Sequence, residues 1–193
     1  MKKYKNKYRI ASNRMPGWDY SGNGYYFITL VTQNRKCNLG KIVDGKMMLS
    51  EFGKIIENEW NKSFTIRDEL FCDEYIIMPN HLHAIIILKK PAMVFPWVFP
   101  WVVEAHGRAP LQPFIRKPKS ISSFIGGFKS AANSKIDDYI DEYNLDIPKF
   151  NRKNHFFQPN YHDHIIRNND EYHRIKNYII NNPKKWIDDK LNV

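Results

Sequence analysis

The sequence of 193 residues lacks the features that mark secreted and membrane-spanning proteins. It contains only two cysteines, Cys37 and Cys72, which are too few for a disulfide framework and favour a reducing compartment. No apolar run approaches the roughly 18 residues that a helix needs to cross a bilayer. The lysine-rich start is not followed by the hydrophobic core of a signal peptide. We therefore expect a cytoplasmic protein.

Acidic residues are absent from two stretches, and this absence accounts for the net charge of +10. Residues 1–18 and residues 105–136 each carry six lysines and arginines and no acid, whereas the rest of the chain carries 18 bases against 20 acids. Positive charge that is concentrated in patches indicates a polyanionic partner. Charge alone does not distinguish DNA, RNA and a membrane surface, and a solvated basic tail and loop would look the same.

Apolar periodicity and turn residues predict an α+β fold in which an antiparallel sheet carries helices on one face. Asp44-Gly45 between two short apolar runs is a strong hairpin signal, and Pro183 is expected to end the last helix. The expected strands span 25–32, 70–78, 81–88 and 155–158, and the expected helices begin at Ser50, begin at Ser120 or Ser122, and span about 169–182.

Residues 91–119 are irregular and rich in proline, and they contain a tandem Val-Phe-Pro-Trp repeat over 94–101. Two copies of four residues do not make a solenoid. The segment either packs its aromatic rings on the body of the protein or presents Trp97 and Trp101 as stacking platforms for bases.

Two histidine pairs share the i, i+2 spacing that places side chains on the same side of a strand. His81 and His83 lie in a predicted strand, so their imidazoles could hold one divalent ion while Leu82 faces the core. Spacing alone is weak support for a metal site, because His162 and His164 show the same pattern in a chain with seven histidines.

Tyr178 and Asn182 are four residues apart, which places them one turn from each other on the same face of the last helix. A phenol beside an amide oxygen would set a nucleophile next to a third metal ligand. Alternatively, Tyr178 packs as a boundary aromatic below Ile175, and Asn182 ends the helix before proline. Periodicity alone favours the second interpretation.

Three motifs in this order resemble the REP-associated tyrosine transposases, which are single-tyrosine transposases with a His-hydrophobic-His motif. The residues that carry the resemblance are Met78-Pro79-Asn80-His81-Leu82-His83, the stretch from Phe157 to Arg167, and Tyr178-Ile179-Ile180-Asn181-Asn182-Pro183. Weaker likenesses lie at 17–20, 26–29 and 122–130. The resemblance spans about residues 15–187, which we take as one catalytic domain between a basic arm (1–14) and a short tail (188–193).

The resemblance implies a ferredoxin-like fold and a specific chemistry. His81, His83 and Asn182 would hold a divalent ion, Mg²⁺ or Mn²⁺, and Tyr178 would be the nucleophile. The implied activity is metal-dependent cleavage of single-stranded DNA next to a hairpin, followed by strand transfer through a covalent 5′-phosphotyrosine. The covalent link conserves the bond energy, so no nucleotide cofactor is expected. His164 matches a recurrent family position of unassigned role, and His162 is read as incidental.

The implied partner is single-stranded or hairpin DNA and not a membrane. A homodimer remains open, because the broader class includes dimers that share active sites. A non-catalytic or repurposed nucleic-acid binder on the same fold and a phosphodiesterase that uses water are the alternatives. The basic residues expected to contact DNA are Arg116, Lys117, Lys119, Lys129, Arg167 and Lys184.

Overall fold

The computed structural model describes residues 15, 17–90, 119–151 and 153–192, together with the backbone of 3–4 and 7–8. Most of the basic arm, the tandem repeat at 94–101, and the expected DNA contacts Arg116 and Lys117 lie outside the described residues.

Eight strands and three α-helices are found in the described parts of the chain. Short 3₁₀ segments lie at Gln33–Arg35 and Asn182–Asp188. In chain order the elements are β1 (Lys3–Tyr4), β2 (Lys7–Tyr8), β3 (Gly24–Val31), β4 (Gly40–Val43), β5 (Lys46–Leu49), α1 (Glu51–Thr65), β6 (Leu70–Met78), β7 (His81–Leu88), α2 (Ile121–Glu142), β8 (His162–Ile166) and α3 (Asn169–Asn181).

The central sheet has the strand order β6-β7-β3-β8, and every neighbouring pair is antiparallel. With α1 between β3 and β6 and α2 between β7 and β8, this is the ferredoxin-like arrangement, so the predicted α+β fold is confirmed. The predicted hairpin is confirmed as the separate β4–β5 pair. Its turn residues Asp44 and Gly45 both have positive φ, at 50° and 70°, as a tight hairpin turn requires.

Both helices of the main core begin at the serines that the sequence indicated. The hydroxyl of Ser50 accepts from the backbone N–H of Gly53, and that of Ser120 accepts from Ser123 in a capping box. The two helices pack on one face of the sheet, where the buried ring of Trp60 meets Phe124 and Phe128 at 5.5 and 5.0 Å between centroids. This face forms the larger core.

The opposite face of the sheet is covered in part by α3, through a small apolar cluster. Ile175 and Ile179 of α3 are buried against Ile85 of β7 and Ile166 of β8. Asn168 caps the helix, and its side chain accepts from the N–H of Glu171. The alternation of β7 therefore sends its even-numbered residues to the α1–α2 core and its odd-numbered residues toward α3.

The predicted strand at 155–158 is reduced to a single antiparallel bridge between Thr32 and Phe157. Two backbone hydrogen bonds flank the bridge, from Gln158 to the carbonyl of Val31 and from Gln33 to the carbonyl of Phe156. The pairing stops there because β3 ends at Val31 and the chain turns into the 3₁₀ segment at Gln33–Arg35.

Candidate active site

His81 and His83 occupy neighbouring odd positions of β7 and lie together on the α3 face of the sheet. Both are almost completely buried, and their ring centroids are 4.4 Å apart. Leu82 between them faces the α1–α2 core, as the alternation predicts. The two imidazoles therefore converge without any loop that must rearrange.

The proton of the His81 ring is placed by its neighbour Asn80, which is fully buried in the β6–β7 turn. The Asn80 amide nitrogen donates to the carbonyls of Arg35 and Leu191, at 3.2 and 2.7 Å, so the amide oxygen must face His81. That oxygen lies 2.8 Å from Nδ1 of His81 and can only accept. Nδ1 therefore carries the proton, and Nε2 keeps a lone pair.

His83 is held between two hydroxyl groups. Its Nδ1 lies 2.8 Å from Oγ1 of Thr29, which is directly opposite on β3, and its Nε2 lies 3.2 Å from the hydroxyl oxygen of Tyr178. The ring also packs on Phe27, with centroids 5.2 Å apart. The contact to Tyr178 joins β7 to α3 across 95 positions of sequence.

Burial keeps both imidazoles neutral at neutral pH. It lowers the pKa of His81 to about 4, although the charge of Asp189 acts in the opposite direction. Burial, with a smaller contribution from His81, holds the pKa of His83 well below its ordinary value. A neutral imidazole is the form that binds a metal ion.

Tyr178 stands at the boundary between this cluster and solvent, with 44% of its surface exposed. Its ring meets Phe27 edge-on at 6.2 Å between centroids. Burial and then the charge of Asp189 raise its pKa, whereas a hydrogen bond from Asn182 lowers it. The phenol is thus accessible to a substrate and protonated at neutral pH.

Two buried polar atoms of the site have no hydrogen-bond partner in the described part of the chain: Nε2 of His81 and Oδ1 of Asn182. Both can donate a lone pair to a metal ion, and a buried atom left unpaired otherwise costs free energy. The donor set also suits a divalent ion, because ligand atoms of His81, His83 and Asp189 all lie within 4.8 Å of one another. The residues present therefore fit the metal ion that the resemblance implies.

Asp189 is the site residue that the sequence patterns missed. It follows the 3₁₀ segment that begins at Asn182, in the stretch assigned to the tail, where no periodicity or motif marks it. The carboxylate of Asp189 accepts from the N–H of Leu191 at 2.6 Å, and the carbonyl of Leu191 in turn accepts from the amide nitrogen of Asn80. These contacts bring the end of the chain to the histidines.

His164, the family position without an assigned role, lies outside the histidine cluster. Its Nε2 is 2.7 Å from a carboxylate oxygen of Glu171, and the imidazole is half exposed. The backbone N–H of Arg167 and then His164 lower the pKa of Glu171. His162 is exposed on β8.

Four of the expected DNA contacts are described, and they differ in what their side chains already touch. Arg167 and Lys184 are exposed near opposite ends of α3. The exposed Lys119 lies 4.0 Å from the buried carboxylate of Glu69.

Lys129 is less available than its helical position suggested. Its ammonium donates to the carbonyls of Gln158, Pro159 and Asn160, at 2.6, 3.5 and 3.2 Å. Burial lowers its pKa to about 8, while the three carbonyl oxygens favour the charged ammonium. These contacts give Lys129 a structural role in the loop before β8.

None of the described helices is long and apolar enough to span a bilayer.

Comparison with known proteins shows which solved structures have a similar fold. No family model matches the chain. A protein of Haemophilus influenzae described as uncharacterized is 29% identical over 188 residues, which cover 94% of this chain and 92% of that protein. Among solved structures, a REP-associated tyrosine transposase bound to a REP hairpin matches 96% of this chain and 74% of its own, with a TM-score of 0.51 at 19% identity. The chain thus shares a transposase-like fold.

Proposed function

We propose that the protein is a metal-dependent DNA strand transferase that cleaves single-stranded DNA next to a hairpin and holds the cut strand as a 5′-phosphotyrosine on Tyr178. The observation that carries the proposal is the 3.2 Å contact between the Tyr178 hydroxyl and Nε2 of His83, beside the unpaired Nε2 of His81. A phenol that could act as a nucleophile and two imidazoles that could bind an ion meet there, on a fold shared with a transposase.

The site needs a cation because both the substrate and the nucleophile resist reaction. A phosphodiester carries anionic oxygens that repel a nucleophile, and the pKa of Tyr178 is raised above its ordinary value. An ion such as Mg²⁺ or Mn²⁺, held by His81, His83 and an oxygen of Asn182 or Asp189, would neutralise the phosphate and favour the ionised phenol. No nucleotide cofactor is required.

His83 and Asn182 affect the hydrogen bonding and the pKa of the Tyr178 hydroxyl. In the tautomer that carries its proton on Nδ1, Nε2 of His83 has one lone pair, so His83 then either accepts from Tyr178 or acts as a ligand. When His83 is a ligand, the hydroxyl of Tyr178 is free to face the phosphate. The side chain of Asn182 lowers the pKa of Tyr178 while its buried Oδ1 stays unpaired, so one side chain could serve both the phenol and the ion.

The proposed reaction conserves the phosphodiester. The Tyr178 oxygen loses its proton to solvent and attacks phosphorus, which forms the tyrosine–phosphate bond and breaks the bond to the 3′ oxygen. That oxygen takes up a proton and leaves as a free 3′-OH. Attack by another 3′-OH on the phosphotyrosine then joins a new strand and regenerates the phenol.

The proposed partner is single-stranded or hairpin DNA, the class of ligand named for the solved transposase. Lys184, two residues after Asn182, is the exposed described candidate beside the site, whereas Arg167 before the other end of α3 and Lys119 beside Glu69 would contact the strand farther from it. Arg116 and Lys117 remain candidates from their sequence position. For Lys129 we propose indirect support, since its ammonium is already bound to the loop.

A covalent-adduct assay tests the proposal. The protein is incubated with Mn²⁺ and a pool of DNA hairpins that carry randomised single-stranded flanks, and adducts that survive denaturation are isolated. We expect an adduct with the wild-type protein and none with Tyr178→Phe. Tyr172→Phe is the matched control, because Tyr172 lies on the same helix but donates to Asp73, away from the histidines.

The same assay separates the alternatives. An adduct that persists in Tyr178→Phe would refute the assignment of the nucleophile. Turnover of DNA without any adduct would indicate a phosphodiesterase that uses water. Salt-sensitive DNA binding that ignores both metal and His81→Ala would indicate a non-catalytic binder.

A further inference from the structure

Tyr178 also borders a cavity that the proposed chemistry does not use. The cavity has a volume of about 710 Å³ and lies between α3 and β8, beside the histidine cluster. We call it the α3–β8 cavity. It is lined by Phe27, His164, Arg174, Ile175, Asn177, Tyr178, Asn181 and Lys185. Its volume lies in the range of small-ligand sites, about 300–1,000 Å³.

The lining combines an apolar wall with polar groups. Phe27, Ile175 and the ring of Tyr178 provide aromatic and aliphatic surface. Ile175 belongs to the apolar cluster under α3, Phe27 packs against that cluster, and the ring of Tyr178 meets Phe27 edge-on. The amide nitrogen of Asn181 donates to the carbonyl of Asn177 at 2.8 Å, which leaves the Asn181 amide oxygen available. Flat rings with amide groups nearby suit a nucleobase, which needs both a stacking surface and hydrogen bonds.

The charges around the cavity favour an anion at its mouth. Arg174 and Lys185 are exposed cations of the lining. Two acids act on this region: Glu171, which already lies 2.7 Å from Nε2 of His164 and 3.6 Å from the guanidinium of Arg174, and Asp189, whose charge raises the pKa of Tyr178. The two cations belong to the lining and the two acids do not, and both carboxylates are already engaged, Glu171 by His164 and a backbone N–H and Asp189 by the N–H of Leu191.

We propose that the α3–β8 cavity binds one unstacked nucleotide of the substrate strand, the one adjacent to the scissile phosphate. Its base lies against Phe27 and Tyr178, and its phosphate faces Arg174 and Lys185. This inference rests on the proposed function, because a strand whose phosphate reaches the Tyr178 hydroxyl would run beside the cavity that the same residue lines. The cavity would position the scissile phosphate and select the base beside it.

Photocrosslinking tests the cavity without requiring the reaction. Single-stranded oligonucleotides with 5-iododeoxyuridine at one position each are bound to Tyr178→Phe protein, which keeps the ring but not the hydroxyl. We expect crosslinks at Phe27 or at position 178, identified by mass spectrometry of the peptides. Crosslinks confined to residues outside the cavity would overturn the inference.

Two substitutions that introduce the same tryptophan side chain, one inside the cavity and one outside it, provide the control. Asn177→Trp places a ring in the cavity, whereas Ile180→Trp places one on an exposed part of the same helix outside it. If the base is bound there, Asn177→Trp should weaken the crosslink and DNA affinity by roughly 5- to 150-fold, the range of one stacking contact. Ile180→Trp should change both by less than about twofold. Equal effects of the two variants would refute the cavity assignment.

The outcomes distinguish this inference from the proposed function. Crosslinks in the cavity without any adduct in the wild-type protein would uphold the nucleotide site and refute strand transfer. An adduct that forms equally well with Asn177→Trp would uphold strand transfer and refute the nucleotide site. A wild-type protein that binds no single-stranded DNA would overturn both.

Discussion

Asn80 offers the sharpest test of how the candidate site is held, because one side chain fixes both a histidine tautomer and the end of the chain. Its amide oxygen faces Nδ1 of His81, and its amide nitrogen donates to Arg35 and Leu191. Asn80→Ala removes all three hydrogen bonds from a residue with no exposed surface. The carbonyls of Arg35 and Leu191 belong to residues that reach solvent, so water can replace their donor.

The Nδ1–H of fully buried His81 has no such replacement. Leaving one buried donor unpaired costs about 1–3 kcal/mol. For a chain of this size we expect the melting temperature of Asn80→Ala to fall by roughly 2–12 °C. The other tautomer of His81 would then become populated and would place a proton on Nε2. Because partners of ligand histidines affect metal affinity by about 10- to 100-fold, Mn²⁺ binding should weaken by a similar factor.

Asn80→Asp separates the two roles of the residue. A carboxylate still accepts from Nδ1 of His81, so the tautomer is kept, but it cannot donate to Arg35 and Leu191. We therefore expect Asn80→Asp to lower the melting temperature while Mn²⁺ affinity, measured by calorimetry, stays within about threefold of wild type. Asn80→Ala should lower both.

The tautomer can be read directly from the ¹⁵N chemical shifts of the His81 imidazole in metal-free protein. The wild type and Asn80→Asp should show a protonated Nδ1 and an unprotonated Nε2. A protonated Nε2 in the wild type, or equal Mn²⁺ affinity in all three proteins, would refute the reasoning.

Three further predictions follow from the same contacts. Because the pKa of His81 is lowered to about 4, the unfolded state binds more protons below pH 6.5. The free energy of unfolding should therefore fall by roughly 3 kcal/mol between pH 7 and pH 4. Denaturant titrations at several pH values should show that this free energy depends less on pH in His81→Gln, and an equal dependence on pH would contradict the prediction. Asp189→Asn should lower the pKa of Tyr178, whose rise depends in part on that carboxylate, and ultraviolet titration against Tyr178→Phe should detect the shift; an unchanged value would exclude the coupling. Ser120→Ala should lower the free energy of unfolding by about 1 kcal/mol, because it removes the cap of α2. Calorimetry should show a lower melting temperature and an unchanged Mn²⁺ affinity. An unchanged melting temperature would mean that the cap is dispensable.

The parts of the fold that were predictable from sequence are those set by local chemistry. Alternation along β7 places His81 and His83 on one face because strand side chains alternate wherever the strand lies. The serine caps and the Asp44-Gly45 turn are likewise decided within a few residues. Each of these features was confirmed with little change of boundary.

The rest of the site depends on contacts between distant segments, which leave no local pattern. The link from Asn80 to Leu191 spans 111 positions, and it brings Asp189 to the histidines although nothing near Asp189 in the sequence suggests a ligand. Lys129 shows the converse. Its position off the apolar stripe of α2 indicated a free cation, but the carbonyls that bind it belong to a loop about thirty residues away.

The small apolar cluster under α3 sets the geometry of the candidate active site. Ile175 and Ile179 fix the rotation of α3 on the sheet, and Tyr178 and Asn182 each follow one of them by three residues, which directs both toward the same end of β7. On β7, His83 precedes the buried Ile85 by two residues and shares its face. The packing that holds the helix to the sheet therefore also sets the distance between the Tyr178 hydroxyl and the His83 imidazole. We therefore expect a substitution in this cluster to impair the proposed strand transfer even though the replaced residue would touch neither DNA nor metal.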